Sequence, residues 1–511
     1  MWSCFCGDMP ERPVRLKKIV MRGKNRDKSH LIWWWITRFS KFFTQMRNSR
    51  LQEIFMWVFL FAPLMAVAND SIINHISGSF SVETLHSSGT NLPFWLVHNR
   101  NGRYPRQGSS VQVASLCGEY DKVGLFNSSL RTQIGFDLTG AWSDRFDAHF
   151  NLLYAGLSFK SVKLDAGWFS DEENFSGLSS SNGHMESSLN ARPYPKIRFG
   201  TNGFIPFFFF KERVGFKAVY DEGWLGENRY VENARLHHKS LFARLKISKS
   251  LWLTAGLNHY VYWGGVSPVL GPLPDDLQAY WLYISGRSGN EEFTPGDQIN
   301  VAGDQLGAYY TELAFKQKNY SLTFYLSHPF EDHSGMELDN WRDNLAGVFL
   351  DFRGKSLINQ VLYEFMYTVH QSGNVHLSGV MRGRDNYFNH SVYRSGHTYM
   401  GYAMSSPLFS PLQFNDGIVT YIENNRLKMH HVGLNGTLSE HLEWKGLMTF
   451  TTNRGTYQHA YDPERKQLSA LLTLDYINES FPVDISVSVS GDIGELHPRQ
   501  AGGLLKLSRK F

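Results

Sequence analysis

Near the end of the chain, apolar Val483, Ile485, Val487 and Val489 alternate with polar or small Asp484, Ser486, Ser488 and Ser490. Leu505 and Leu507 repeat the pattern before the chain stops at Phe511. A strand sends successive side chains to opposite faces, so these segments have one apolar face and one wet face. In a soluble sandwich the wet face meets bulk water. In an outer-membrane barrel it lines the lumen while the apolar face meets lipid. An aromatic last residue is the usual ending of such barrels, so the expectation is a transmembrane antiparallel β-barrel, all-β, in the outer membrane.

The front of the chain predicts export. Arg47 and Arg50 precede an apolar run from Ile54 to Met65, and Ala66-Val67-Ala68 supplies a small-x-small cleavage site before Asn69. That is the layout of a secretory signal peptide, and the run falls short of the roughly 20 apolar residues of a spanning helix. Met46 stands directly before it, which makes residues 46–68 the expected signal peptide and 1–45 an extension from a mis-assigned start. The rival reading of 1–45 is a long cytoplasmic n-region, or a first membrane segment at the apolar stretch Leu31–Ile36.

Residues 1–68 hold 12 of the 51 basic and 4 of the 47 acidic residues, leaving 39 basic against 43 acidic. The overall +4 is therefore a property of the leader. A nucleic-acid partner is not expected, because phosphate binding needs a basic surface. Three cysteines, two of them in the leader, make neither a disulfide framework nor a Cys-based metal site.

Alternation recurs along the chain. Leu241, Ala243, Leu245 and Ile247, a Ser248-Lys249-Ser250 turn, then Leu251, Leu253, Ala255 and Leu257 read as a hairpin. Further candidate strands are 134–142, 147–154, 162–168, 320–326, 348–352, 362–367, 447–451 and 468–476. The polar or Gly/Pro-rich stretches 169–195, 264–276, 285–305, 328–341 and 385–406 read as extracellular loops. At about 25 residues per strand and connection there is room for roughly 16–18 strands. Residues 69–92 are expected to form a short periplasmic segment, and 93–511 a single barrel domain.

Some segments carry more than strand grammar. Asn91-Leu92-Pro93-Phe94-Trp95-Leu96 is followed by Asn99 and Asn101-Gly102. Ala234-Arg235-Leu236-His237-His238-Lys239-Ser240 and Asn258-His259-Tyr260-Val261-Tyr262-Trp263-Gly264-Gly265 come next. Gly383-Arg384-Asp385-Asn386-Tyr387-Phe388-Asn389-His390 then continues through Tyr393, Gly396 and Gly401 to Pro407-Leu408. In this order and spacing the chain resembles the Wzi capsule-assembly family of outer-membrane proteins over most of residues 90–511. The resemblance implies an 18-stranded barrel, plugged by loops or a short periplasmic segment, acting at the cell surface as a lectin for capsular polysaccharide. Arg509 departs from the apolar character expected of its strand position and is read as snorkelling to an interface.

Aromatic faces stack on the C–H face of a pyranose, while amides, carboxylates and guanidinium groups fix its hydroxyls. Arg384, Asp385, Asn386, Tyr387, Asn389, His390 and Tyr393 offer both within one stretch, and Trp263 and Arg235 extend the candidate set. Each has a plainer reading. The 384–393 block can hold a plug in place, Trp263 can be an interfacial girdle residue, and Arg235 with His237, His238 and Lys239 can be a lumen wall balanced by carboxylates such as Glu232. Phe207–Phe210 lacks alternation and reads as packed on both sides, at an interfacial turn or against a plug. No catalytic set stands out. Adjacent His237 and His238 point to opposite faces of a strand and cannot share a metal. The expected partners are surface or capsular polysaccharide, outer-membrane lipid and, during insertion, the barrel-assembly machinery. No cofactor and no metal is expected. The alternative function is a diffusion porin for sugars or other small solutes.

Overall fold

The computed structural model describes residues 75–124, 129–331, 333–377 and 380–511. The expected extension and signal peptide lie outside the described residues. Eighteen antiparallel strands close into a barrel. In the first third these are β1 (Ile76–Ser87), β2 (Ser110–Val123), β3 (Leu130–Trp142), β4 (Phe146–Phe159), β5 (Val162–Trp168) and β6 (Pro195–Thr201, resumed at Ile205–Pro206). The wall continues with β7 (Val214–Trp224), β8 (Arg235–Lys246), β9 (Leu251–Trp263), β10 (Asp304–Lys316), β11 (Tyr320–Phe330) and β12 (Asn344–Phe352). It ends with β13 (Gln360–Tyr367), β14 (Leu427–Ser439), β15 (Leu442–Gly455), β16 (Ala460–Tyr476), β17 (Asp484–Gly494) and β18 (Gln500–Lys510). Neighbours in sequence pair in space, and β18 closes on β1 from Ser79↔Lys510 to Ser87↔Gly502. Phe511 extends that seam, exchanging two 2.9 Å backbone hydrogen bonds with Gly78.

The alternation sorts side chains as expected. On β17, Val487 and Val489 are 43 % and 60 % exposed on the outside, while Ser488 and Ser490 face inward and are buried. On β16, Leu472 and Leu474 face out and Ser469 and Thr473 face in. This is a lipid-facing wall around a polar interior. Arg509 faces outward and donates to the Phe481 carbonyl at 3.0 Å. The turns 160–161, 247–250, 317–319 and 440–441 share one end of the barrel with Phe511, whereas 88–109, 169–194, 264–303 and 368–426 share the other. Short turns mark the periplasmic end and long loops the extracellular end.

Three expectations need correction. The barrel begins at Ile76, inside the stretch read as periplasmic. On β1 the inward residues Ser79, Ser81 and Glu83 are buried against the lumen, and Phe80 and Val82 give too sparse an apolar face to register as a strand. Stretches 169–195 and 385–406, read as extracellular loops, fold inward and carry buried Leu178, Met185, Tyr387, Phe388 and Tyr393. Phe207–Phe210 is not packed on both sides: it lies in the periplasmic turn between β6 and β7, with Phe208 and Phe209 86–90 % exposed.

An interior enclosed by 18 strands is too wide for the wall's own side chains to fill. The apolar core accordingly sits inside the extracellular half of the lumen. Leu85, Val111, Leu345, Met366, Leu427 and Leu504 of the wall pack there with Trp95, Leu96, Leu178, Tyr387 and Phe409 of the inserted segments.

Candidate functional site

Three segments fill the lumen, and each is tied to the wall by buried polar groups. In the first, residues 88–109, a short helix α1 (Phe94–Val97) begins with an N–H that no helix carbonyl can satisfy. Phe94 N donates instead to Asp492 Oδ2 at 2.9 Å. Asp492 is fully buried and also accepts from Ser469 Oγ at 2.6 Å and Gln500 Nε2 at 3.0 Å. Further along, Arg103 is ion-paired with Asp137, and Tyr104 donates to Glu83.

The next side chain starts a directed relay. Trp95 Nε1 donates to Thr449 Oγ1 at 3.0 Å, and that hydroxyl lies 2.7 Å from His431 Nδ1. His431 Nε2 is 2.7 Å from the Leu178 carbonyl, which can only accept. The imidazole therefore donates from Nε2 and accepts at Nδ1 in its neutral form. One chain of bonds links the first inserted segment, two wall strands and the second segment. Gly433 is required at this crossing, because a Cβ there would lie 2.4 Å from the Leu178 carbonyl oxygen.

The second segment, 169–194, is clamped by Glu364, a fully buried carboxylate on β13. Ser179 Oγ donates to it at 2.6 Å, Ser180 N at 2.7 Å and Tyr325 Oη at 2.6 Å. The third segment lies within 368–426. Its His397 donates from Nε2 to the Glu186 carbonyl at 2.8 Å and accepts from Tyr262 Oη at 2.8 Å. Burial holds the His397 imidazole down at about 3, against the raising effect of the Glu186 carbonyl. His98 of the first segment is likewise lowered to about 4, mainly by burial and despite its bond to Asn190. Arg229, in the connection between β7 and β8, donates to the carbonyls of Thr398 and Gly396 at 3.1 and 3.3 Å.

Most of the residues expected to touch sugar serve the third segment's own fold. Tyr387 is fully buried: its hydroxyl donates to Asp343 at 2.8 Å and accepts from Asn340 at 2.7 Å. Asp343, which also accepts from the His370 and Gln371 amides, is raised by burial against the lowering effect of those bonds. Tyr393 is 2 % exposed and donates to the Gly264 carbonyl, so neither tyrosine offers a face to a ligand. Asn389 is bound on both amide atoms to the Ile422 backbone, and Asn386 accepts from Asn389 and Asn425. His390 Nδ1 accepts from the Val392 and Tyr393 amides, and Asp385 accepts from Ser372 Oγ at 2.5 Å. Arg384 is exposed, with backbone φ +59°. Trp263 and Arg235 meet on the outward wall, the guanidinium 4.5 Å from the indole ring and 3.3 Å from Asp275. Trp263 is 6 % exposed, packed under Tyr280, and so is not an open girdle residue. His237 and His238 do face opposite sides, and their carboxylate partners are Glu222 and Asp221 rather than Glu232.

The extracellular rim above β14–β16 carries the open chemistry. Arg426 lies 3.7 Å over the Tyr457 ring and Arg384 5.9 Å from it, while Arg465 lies 4.1 Å over Tyr461. Tyr457 is fixed by donating to the His370 carbonyl at 2.9 Å, and Tyr421 by accepting from Asn386 at 3.2 Å. Among the described residues no carboxylate lies within 4 Å of Arg426 or Arg465, although Arg454 is paired with Glu464. Of this group only Arg384 was expected. Arg426 and Tyr457 flank the ends of β14 and β15, and Tyr461 and Arg465 lie in the first residues of β16. The interleaving of arginine and tyrosine between Arg454 and Arg465 was the sequence signal for the last three, and Arg426 had none. Such an array can stack a sugar ring and pair bidentately with a carboxylate.

No family model and no curated protein matches the chain. Among solved structures it is similar to Wzi of Escherichia coli, an outer-membrane protein involved in group 1 capsule assembly and a carbohydrate-binding β-barrel. That likeness has a TM-score of 0.52 and 14 % identity, over 84 % of this chain and 84 % of that one. OpdL of Pseudomonas aeruginosa aligns at TM-score 0.45 and 9 % identity over 86 % of this chain and 98 % of that one. OprD of the same organism aligns at TM-score 0.45 and 9 % identity over 85 % and 92 %. At these identities the likeness is one of fold. The chain is an integral outer-membrane β-barrel.

Proposed function

We propose that this barrel binds surface polysaccharide non-covalently at its extracellular rim, takes part in capsule assembly or attachment, and is not an enzyme. The observation that carries the reading is the filled lumen. Three inserted segments, bonded to Asp492, Glu364 and Asp343 respectively, leave the extracellular half packed rather than bored. A barrel closed in this way works through its surface. Wzi, the structure with the higher TM-score, is itself a carbohydrate-binding barrel, which supports the reading. Tyr457, Tyr461 and Tyr421 would stack on sugar rings while Arg384, Arg426 and Arg465 pair with acidic substituents. Asp385, Asn386, Asn389 and His390 would hold the segment that carries Arg384. Single contacts of this kind are weak, and a repeating polymer bound by many barrels gains avidity.

The test is binding of the producing organism's own capsule to the purified barrel, compared with Arg426→Ala and Tyr457→Ala. Loss of roughly tenfold or more in each, with heat-modifiable mobility of the barrel unchanged, is expected. Equal binding by both variants removes the rim from the account. One observation favours a solute-conducting reading: a polar cavity of about 370 Å³ lies beneath the second segment, lined by Lys217, Arg244, Thr254 and Glu312.

A further inference from the structure

The outward face of the barrel is not apolar all the way round. On β8 the lumen takes the even-numbered residues, such as His238 and Ser240, so Arg235, His237, Lys239 and Leu241 point out. The outward apolar run covers only residues 241–247, from Leu241 to Ile247. A spanning strand needs roughly 9–11 residues to cross the apolar band. The next two outward positions are Lys239 and His237, with Glu222 beside them on β7 and His259 on β9. Left open, these groups would stand at the upper edge of the hydrocarbon, where unpaired charge is expensive. On β17, by contrast, Ile485, Val487, Val489 and Ile493 carry the apolar face along the strand without help.

The connection between β9 and β10 covers that gap. Its helix α2 (Leu277–Ser285) is capped by Asp276, whose side chain accepts from Ala279 N at 2.7 Å, and ends at Gly286 in the left-handed conformation. Ala279 and Tyr283 pack on Val261 and Trp263, the outward residues at the top of β9. Its polar atoms satisfy the charged groups beneath. Lys239 Nζ donates to the Ile284 carbonyl, and Tyr280 Oη donates to Glu222, which in turn holds His237 Nδ1 at 2.6 Å. Gln305 accepts from His259 at 2.8 Å and donates to the Tyr283 carbonyl at 2.9 Å. The opposite side of the helix is open: Leu277 is 72 % exposed and Trp281 59 %, with exposed Gln278 and Ser285 at its margins, and Val269 in the preceding turn is 72 % exposed.

We propose that α2 is an interfacial membrane helix. It lies in the outer leaflet against the barrel wall, its Leu277–Trp281 side against lipid, and continues the lipid-facing belt over the polar and charged outward groups of β7–β9. Helices with one apolar side and a satisfied polar side occupy this boundary between headgroups and acyl chains. The occupant is the lipid surface itself, by continuity with the belt of Leu241 and Leu245 immediately below. The inference is independent of the polysaccharide reading.

A nitroxide label on Leu277→Cys tests it, in full-length barrel reconstituted into vesicles of phosphatidylethanolamine and phosphatidylglycerol. Gln413→Cys, on an exposed extracellular hairpin, is the solvent control. Cys117 is 1 % exposed and does not compete for label. Power-saturation measurements compare collision with dissolved oxygen and with a water-soluble nickel chelate. Oxygen accessibility exceeding nickel accessibility at 277, with the reverse at 413, is the expected result. Nickel accessibility at 277 equal to that at 413 overturns the proposal, and so does a label immobilised by a second barrel rather than exposed to oxygen.

Discussion

Glu364→Ala should loosen the barrel's filling without disturbing its wall. The carboxylate is fully buried and receives the Ser179 hydroxyl, the Ser180 amide and the Tyr325 hydroxyl, two of these three from the second inserted segment. Truncation leaves three donors without an acceptor. A buried donor stripped of its partner costs about 1–3 kcal/mol, less for a hydroxyl that can rotate, so the sum is about 3–6 kcal/mol. At 1.4 kcal/mol per decade, the population with 169–194 displaced rises about 10²–10⁴-fold. Glu364→Gln is the control: its carbonyl can face the Ser180 amide while its NH₂ meets the Tyr325 hydroxyl, which turns to accept, and only the Ser179 hydroxyl, already accepting from the Ser181 and Gly183 amides, loses its acceptor. A cost near 1 kcal/mol is expected for it. Hydrogen exchange at the amides of residues 178–183 reads the difference. Protection should fall by two or more decades in the alanine variant, and by less than one in the glutamine variant. Unchanged protection in Glu364→Ala would refute the reasoning, because it would mean that the clamp does not hold the segment.

Three further outcomes follow from the same geometry. Gly433→Ala places a Cβ against the Leu178 carbonyl oxygen, so the crossing must shift; a loss of about 1–3 kcal/mol is expected, read as a lower temperature of heat-modifiable mobility. Tyr387→Phe removes a hydroxyl that both donates to Asp343 and accepts from Asn340, and should cost about 1–3 kcal/mol, with exchange rising at the His370 and Gln371 amides. Acidification should release the inserted segments. His98 and His397 are lowered to about 4 and about 3, so the docked state binds fewer protons than the released state below about 6.5. Docking is then fully stable above about pH 6.5 and weakens as pH falls towards 4, by about 1.4 kcal/mol per fully neutral histidine at pH 5.5. Exchange in 178–183 that stays constant from pH 7 to pH 5, after correction for intrinsic rates, would contradict this.

The wall was readable because its rule is local. Alternation of period two in 483–489, 468–476 and 241–257 marks a face wherever one side meets lipid, and those strands stand where expected. β1 escaped because its buried inward face is made of Ser79, Ser81 and Glu83 and its outward face carries few apolar residues. The filling was harder to read. Stretches 169–194 and 385–409 are polar like exposed loops, and they become buried only because Glu364, His431 and Asp343, far away in sequence, satisfy their backbone and hydroxyl groups. The 384–393 block reads in the sequence either as a polysaccharide-binding stretch or as a unit that holds a plug. Its plainer reading fits Tyr387, Tyr393, Asn386 and Asn389, whose polar atoms are bonded within the segment or to the wall. The rim arginines and tyrosines come together only once β14, β15 and β16 lie side by side.

Conductance of the purified barrel in planar bilayers tests the central claim most directly. A lumen filled by three bonded segments should give no steady channel at neutral pH, with brief openings at most, and Glu364→Ala should raise their frequency. Large, stable, ohmic channels from the wild-type protein would contradict the account and identify the chain as a porin.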